Sequence, residues 1–152
     1  IFIVGLFEEG IKAYVVYKFH YGHPEFNERI DGIIYGITVG LGFAAAENLL
    51  YTISYGYQVG IIRAFITTLA HASFTGVFGY FLAKAYIENK RFCLYIGIAL
   101  AVLLHGIYDF LLLSEIIGIG YTVLIIIGLQ LLLSHLMNIV LEKSPFKNLG
   151  GK

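Results

Sequence analysis

Glu8, Glu9 and Lys12 fall in one apolar stretch, Glu47 in a second, His71 in a third, and His105 with Asp109 in a fourth. Each stretch is otherwise apolar enough to cross a bilayer, where a carboxylate at a helix centre costs about 2.5 to 3.5 kcal/mol. The four acids together cost on the order of 10 kcal/mol, which rivals the stability of a whole domain. A structural bundle could be built from Leu and Gly without them, so these groups point to chemistry or ion movement within the membrane.

Their spacing suggests how they work together. Glu8 and Lys12 are four apart on one helical face with the acid first, the order that favours an ion pair, and mutual neutralisation would explain that pair. It does not explain Glu9, which points about 100° away and needs a proton, a cation or a histidine from another helix. His105 and Asp109 are also four apart, so the carboxylate can fix the ring tautomer and leave the other nitrogen free. A buried histidine that is merely satisfied is the alternative. His71 has Thr67, Thr68 and Thr75 on nearby turns, any of which could bond to it. Asn48 could orient Glu47 or donate to a developing oxyanion.

The chemistry open to this set is activation of water. There is no HExxH pair on one helix, but Glu47, His71 and His105, drawn from three helices, would suit zinc with one position left for water. A glutamate and a histidine could equally deprotonate water without metal. Both versions stand on the sequence.

Five elements must position these groups. The 152 residues are 59% hydrophobic and 13% charged, with a mean hydropathy of +0.82, which excludes an ordinary soluble domain. A hydrocarbon core about 30 Å thick takes roughly 20 apolar residues per helix. The chain divides into Ile1 to Phe19, Ile30 to Ser54, Ile61 to Ile87, Phe92 to Ser114 and Ile119 to Leu141, with polar breaks at His20 to Arg29, Tyr55 to Gly60, Glu88 to Arg91 and Glu115 to Gly118. Their length decides for helix over strand. The expected fold is all-α, a polytopic transmembrane bundle of about five helices forming a single domain over residues 1–141, with a short basic tail at 142–152. The first residue, Ile1, is not Met, which points to a longer chain. Cys93 stands alone, so no intrachain disulfide forms.

If the helices alternate in direction, Lys18, Arg29, Lys84, Lys90, Arg91, Lys143, Lys147 and Lys152 share one side and only Lys12 and Arg63 the other. The positive-inside rule then makes the first side, with the C-terminal tail, cytoplasmic. At about 1.5 Å rise per residue, Glu8 and Glu47 lie roughly 10 Å below the outer boundary, His71 about 15 Å, His105 about 13 Å and Asp109 about 8 Å. Four helices thus bring their polar groups to one layer. Gly32, Gly36 and Gly40, and Ala64, Thr68, Ala72 and Gly76, repeat every fourth residue and predict close packing of the second and third helices. Gln130 and His135 fall outside the layer and are expected to bond between helices or reach the interface. Arg63, Asp31 and Lys84 are expected to snorkel. Tyr51, Tyr55 and Tyr57 are expected in an interfacial belt. His20, His23 and Glu25 read as a solvated turn.

The polar groups also form a motif series. Glu8-Glu9-Gly-Ile-Lys12 matches EExxK, Phe43-Ala-Ala-Ala-Glu47-Asn48 matches FxxxEN, His71-Ala-Ser-Phe-Thr-Gly76 matches HxxFxG, and His105-Gly-Ile-Tyr-Asp109 matches HxxxD. In this order on successive helices they resemble the PrsW family of intramembrane proteases, distantly similar to the CAAX prenyl endopeptidases and their bacterial relatives. The resemblance covers helices one to four. It implies hydrolysis of a peptide bond in a membrane-anchored protein, of the anti-sigma-factor kind, near the outer side of the membrane. It also implies Glu8, Glu9, Glu47, His71 and His105 as the active centre, supported by Lys12 and Asp109. Family members commonly have more than five helices, and this chain departs from them there.

The reading is therefore an endopeptidase of the cell membrane in which a water held among Glu9, Glu47, His71 and His105 attacks the scissile carbonyl, with zinc as the expected cofactor or a metal-free glutamate in its place. Asp109 would orient His105 and Lys12 would hold Glu8 charged. The expected partners are a single-pass membrane protein and the bilayer, and no nucleic acid. The rival from another class is a proton- or cation-coupled transporter, since acid and histidine chains also mark ion pathways. Against it stand the absence of an inverted repeat and of polar groups reaching the cytoplasmic side.

Overall fold

The computed structural model describes residues 2–114 and 118–147. Five helices account for nearly all of them: α1 (Phe2–His20), α2 (Arg29–Tyr55), α3 (Tyr57–Ile87), α4 (Phe92–Leu113) and α5 (Ile119–Glu142). No strand occurs among the described residues. The protein is an all-α, multi-pass membrane bundle. In α2, α3, α4 and the Gly120–Glu142 part of α5, length and composition suffice for a bilayer crossing. α1 carries too much charge to meet that standard, yet Ile3, Phe7, Ile11 and Tyr14 on its outward face are exposed while Glu9 and Lys12 are buried. Apolar outside and charged inside is the arrangement that lipid selects.

The expected boundaries differ from the observed ones mainly at the second break. Instead of six residues from Tyr55 to Gly60, a single residue, Gly56, separates α2 from α3. Its φ of 94° lies in the left-handed region where a Cβ is strained. α3 therefore begins at Tyr57 and reaches 31 residues. At the opposite end of α2, Asp31 does not snorkel. Its Oδ2 accepts the amides of Asn27 (3.0 Å) and Glu28 (2.7 Å), closing the first turn. Phe26 folds from the α1–α2 connection into the core beside Tyr35 and Tyr86. The residues after α5 turn back so that the Ser144 hydroxyl donates to Glu28. Ile1, residues 115–117 and residues 148–152, including Lys152, lie outside the described residues.

The glycine series on α2 forms a seam against α3. Gly32, Gly36 and Gly40 face Gly79, the Thr75–Gly76 peptide and the His71–Ala72 peptide in turn. A Cβ on Gly40 would lie 2.5 Å from the carbonyl oxygen of His71, so the bare backbone of α2 sets where His71 sits. Ala72 and Gly76 of the expected α3 series belong to this seam. Gly79, which that series did not include, packs directly on Gly32. Gly36→Val would drive a side chain into the Thr75 backbone and is expected to cost about 1–3 kcal/mol. Thermal unfolding in detergent measures this, with Gly10→Ala, which meets nothing within 4 Å, as the neutral control.

Candidate active site

One chain of polar contacts crosses the bundle near the end formed by the α2–α3 hairpin. Lys12 of α1 is its centre. The ammonium lies 2.6 Å from Glu9 Oε1, 2.7 Å from His71 Nδ1 and 3.5 Å from Glu8 Oε2, with the Phe43 ring 4.1 Å away on a fourth side. The expected Glu8–Lys12 pair is thus present, but Glu9 is the closer partner. An ammonium can only donate, so His71 Nδ1 accepts and the ring proton resides on Nε2. That Nε2–H donates to Glu47 Oε2 at 2.9 Å.

Glu9 answers the demand for a partner from another helix. Its Oε1 lies 2.9 Å from His105 Nδ1 of α4, and its Oε2 accepts from the Thr75 hydroxyl of α3 at 3.3 Å. On the far side of the His105 ring, Nε2 is 3.3 Å from Asp109 Oδ2 and 3.8 Å from Glu8 Oε2. Whichever ring nitrogen holds the proton, a carboxylate stands ready to accept it. The two imidazoles lie 5.1 Å apart between centroids. Phe74 stacks on His105 from beneath and joins the apolar cluster with Tyr108, Ile126 and Leu129, so the ring is braced by the core.

A cavity of about 220 Å³ opens on this network. Glu8, Glu47, His71, His105 and Asp109 line it, as do Arg63, Thr67 and Tyr108. Glu9 and Lys12 do not line it. Each is only 1% exposed and closed in behind the two rings. The lip is apolar, formed by Val4 of α1 and by Leu112 and Leu113 of α4, all exposed.

Three residues, Arg63, Tyr51 and Asn48, behave differently from expectation. Arg63 does not snorkel: it turns inward to pair with Glu47 Oε2 at 3.0 Å, donates from Nε to Asn48 Oδ1 at 3.2 Å, and lies 3.6 Å over the Tyr51 ring. Tyr51, itself partly open to the surroundings at 36% exposure, therefore braces Arg63, while Tyr55 and Tyr57 are the more exposed at 69% and 74%. Asn48 gives its amide to Thr68 (2.9 Å) and orients Glu47 only through Arg63. Gln130 bridges α5 to α3 through the Leu69 carbonyl and Ser73 hydroxyl, and Cys93 is a free, buried thiol.

Known proteins carry a similar stretch of sequence. A family model described as PrsW family intramembrane metalloprotease matches residues 1–137. The chain belongs to the PrsW family. Among curated PrsW proteins it is similar to Protease PrsW of Geobacillus kaustophilus, 42% identical over 112 residues, which is 72% of this chain and 50% of that one. It resembles Protease PrsW of Halalkalibacterium halodurans at 42% over 113 residues, 73% of this chain and 53% of the other. With Protease PrsW of Bacillus subtilis it shares 39% over 111 residues, 71% and 51% of the two chains. The chain spans about half the length of these PrsW relatives. No solved structure matches it.

The metal that the PrsW family description implies can be tested against the residues present. Donor atoms of Glu8, His71 and His105 lie within 4.8 Å of one another. This trio differs from the Glu47, His71 and His105 set expected from the polar residues of three helices, because Glu47 is drawn toward Arg63 while Glu8 faces the gap between Lys12 and His105. Glu8 Oε2 is shut from solvent and makes no hydrogen bond, its nearest partners being the Lys12 ammonium at 3.5 Å and His105 Nε2 at 3.8 Å. Four carboxylates (Glu8, Glu9, Glu47, Asp109) face two cations (Lys12, Arg63), so with neutral rings the cluster carries two uncompensated negative charges. A divalent cation held by Glu8, His71 and His105 would balance the charge and give Glu8 Oε2 a partner, once one nitrogen of each ring exchanges its present contact for the metal. The donor set fits the group in kind and spacing on that condition.

Proposed function

We propose that this chain is the catalytic portion of an intramembrane endopeptidase that hydrolyses a peptide bond of a single-pass, membrane-anchored protein of the anti-sigma-factor kind. The cavity with carboxylates, imidazoles and an apolar lip inside a membrane bundle carries the reading. Water in the cavity lies beside Glu47, which faces it and is fixed from both sides by His71 and Arg63. Glu47 takes the proton as the water oxygen bonds to the scissile carbonyl carbon, and passes it to the departing amine nitrogen as the carbon–nitrogen bond breaks. Arg63 stands within reach of negative charge developing on the carbonyl oxygen.

Glu8, His71 and His105 would hold zinc, which when bound supplies Lewis-acid polarisation of water or carbonyl. One contact on each ring, Glu9 or Asp109 on His105 and Lys12 or Glu47 on His71, would give way to the metal, and the other would orient the ligating ring. In this reading Glu8 stands beside the water, the place expected from the sequence for Glu9. The basic end of the bundle, with the tail, faces the cytoplasm in this reading, by the charge bias of the loops.

The test compares membrane proteomes of cells carrying wild-type protein or Glu47→Ala. A shortened single-pass protein should appear with the wild type alone. Purified protein should contain close to one zinc, and a chelator should abolish cleavage that zinc restores. Identical proteomes would overturn the protease reading. Full activity in zinc-free protein would leave the metal-free glutamate mechanism.

A further inference from the structure

At the end of the bundle opposite the Glu/His network, the start of α2, the end of α3 and the end of α5 enclose a second cavity of about 310 Å³. Arg29, Lys84 and Lys143 line it with one acid, Glu88, and its remaining wall is Tyr80, Ile139 and Val140. Glu88 is already engaged, 3.1 Å from Arg29 and 2.7 Å from Lys90. Its hydrogen bond to Lys90 and the neighbouring Arg29 charge hold its carboxyl below the usual carboxylate range, so it remains an anion and offsets one of the three cations. Two positive charges remain. Arg29 Nε is shut from solvent with no hydrogen-bond partner, a donor that asks for an acceptor.

None of these residues belongs to the Glu/His site. Their place at the basic ends of membrane helices puts them level with headgroups, where phosphates supply acceptors and acyl chains supply the match for the partly exposed Ile139. We propose that this cavity binds the phosphate of an anionic phospholipid from the leaflet at the basic end of the bundle. Arg29 and Lys84 come from α2 and α3, whereas Lys143 follows α5, so the bound headgroup links the tail of α5 to the hairpin that carries Glu47 and His71.

The test uses the full chain in detergent, delipidated and then titrated with phosphatidylglycerol or phosphatidylcholine, with bound lipid counted by native mass spectrometry. Wild type should prefer phosphatidylglycerol by about tenfold or more, and Lys84→Gln with Lys143→Gln should remove that preference. Lys18→Gln, on the outward face of α1 beside Tyr14 and Phe19, should leave it unchanged. Equal binding of the two lipids would overturn the proposal, as would an equal loss in Lys18→Gln, which would mean diffuse attraction rather than a site. Inorganic phosphate that displaced the lipid at equimolar level would overturn the lipid as the occupant. Because the readout is bound lipid, its outcome is separate from that of any cleavage assay.

Discussion

Glu47→Gln is expected to reduce cleavage of a membrane-anchored substrate in liposomes by roughly 10² to 10⁴-fold, the contribution of a positioned general base. The variant should fold as the wild type does, because a glutamine carbonyl can still accept from His71 Nε2 and the side chain faces the cavity rather than the core. On the proposed zinc site, Glu47→Gln should bind the metal as the wild type does, since Glu8 and not Glu47 completes the donor trio, whereas His105→Ala should lose zinc and activity together. A Glu47→Gln protein that cleaves within threefold of wild type would remove Glu47 from the chemistry. Loss of zinc from it would return Glu47 to the ligand set.

Lys12→Met is expected to lower stability by about 3–5 kcal/mol, because it leaves Glu9 buried and charged without its counter-ion. For a chain of this size that is a drop on the order of 10 °C in unfolding temperature in detergent. Adding Glu9→Gln should recover part of the loss, since the stranded charge goes with it. A single variant that melts with the wild type would show that the ammonium contributes nothing to holding α1 against α3. Glu9 substitutions alone should likewise weaken the fold as well as cleavage, so unfolding must be followed in every activity series.

Helix number, span and the meeting of polar groups were legible because lipid imposes simple rules: about twenty apolar residues per crossing, charges turned inward, small residues at close seams. The seam from Gly32 to Gly40 could be read from spacing, but its partner register could not. That register depends on which carbonyls of α3 the bare backbone meets, and Gly79 was missed for that reason. Arg63 was missed through a boundary. With α3 expected to start at Ile61, Arg63 stood at a helix end, whereas a start at Tyr57 puts it nearly two turns inside, across the one-residue hairpin from Asn48. The Tyr55 to Gly60 break holds two glycines, Gly56 and Gly60, either suited to a left-handed φ, and the sequence did not say that only Gly56 adopts it. The exchange between Glu8 and Glu9 was beyond reach, since a rotation of α1 by one residue decides which acid meets the cavity and which meets Lys12 and Thr75.

The methyl-free seam has a bearing on how a polypeptide reaches the carboxylates. α2 and α3 touch backbone to backbone beside His71, so nothing can slip between them. α1 meets α4 more loosely, with a Cβ on Gly5 in ordinary van der Waals contact at 3.6 Å, and there Val4, Leu112 and Leu113 border the cavity. On the proposed function, a guest helix already dissolved in lipid would find its doorway on that flank, arriving sideways and unwinding only where its peptide bond must meet water.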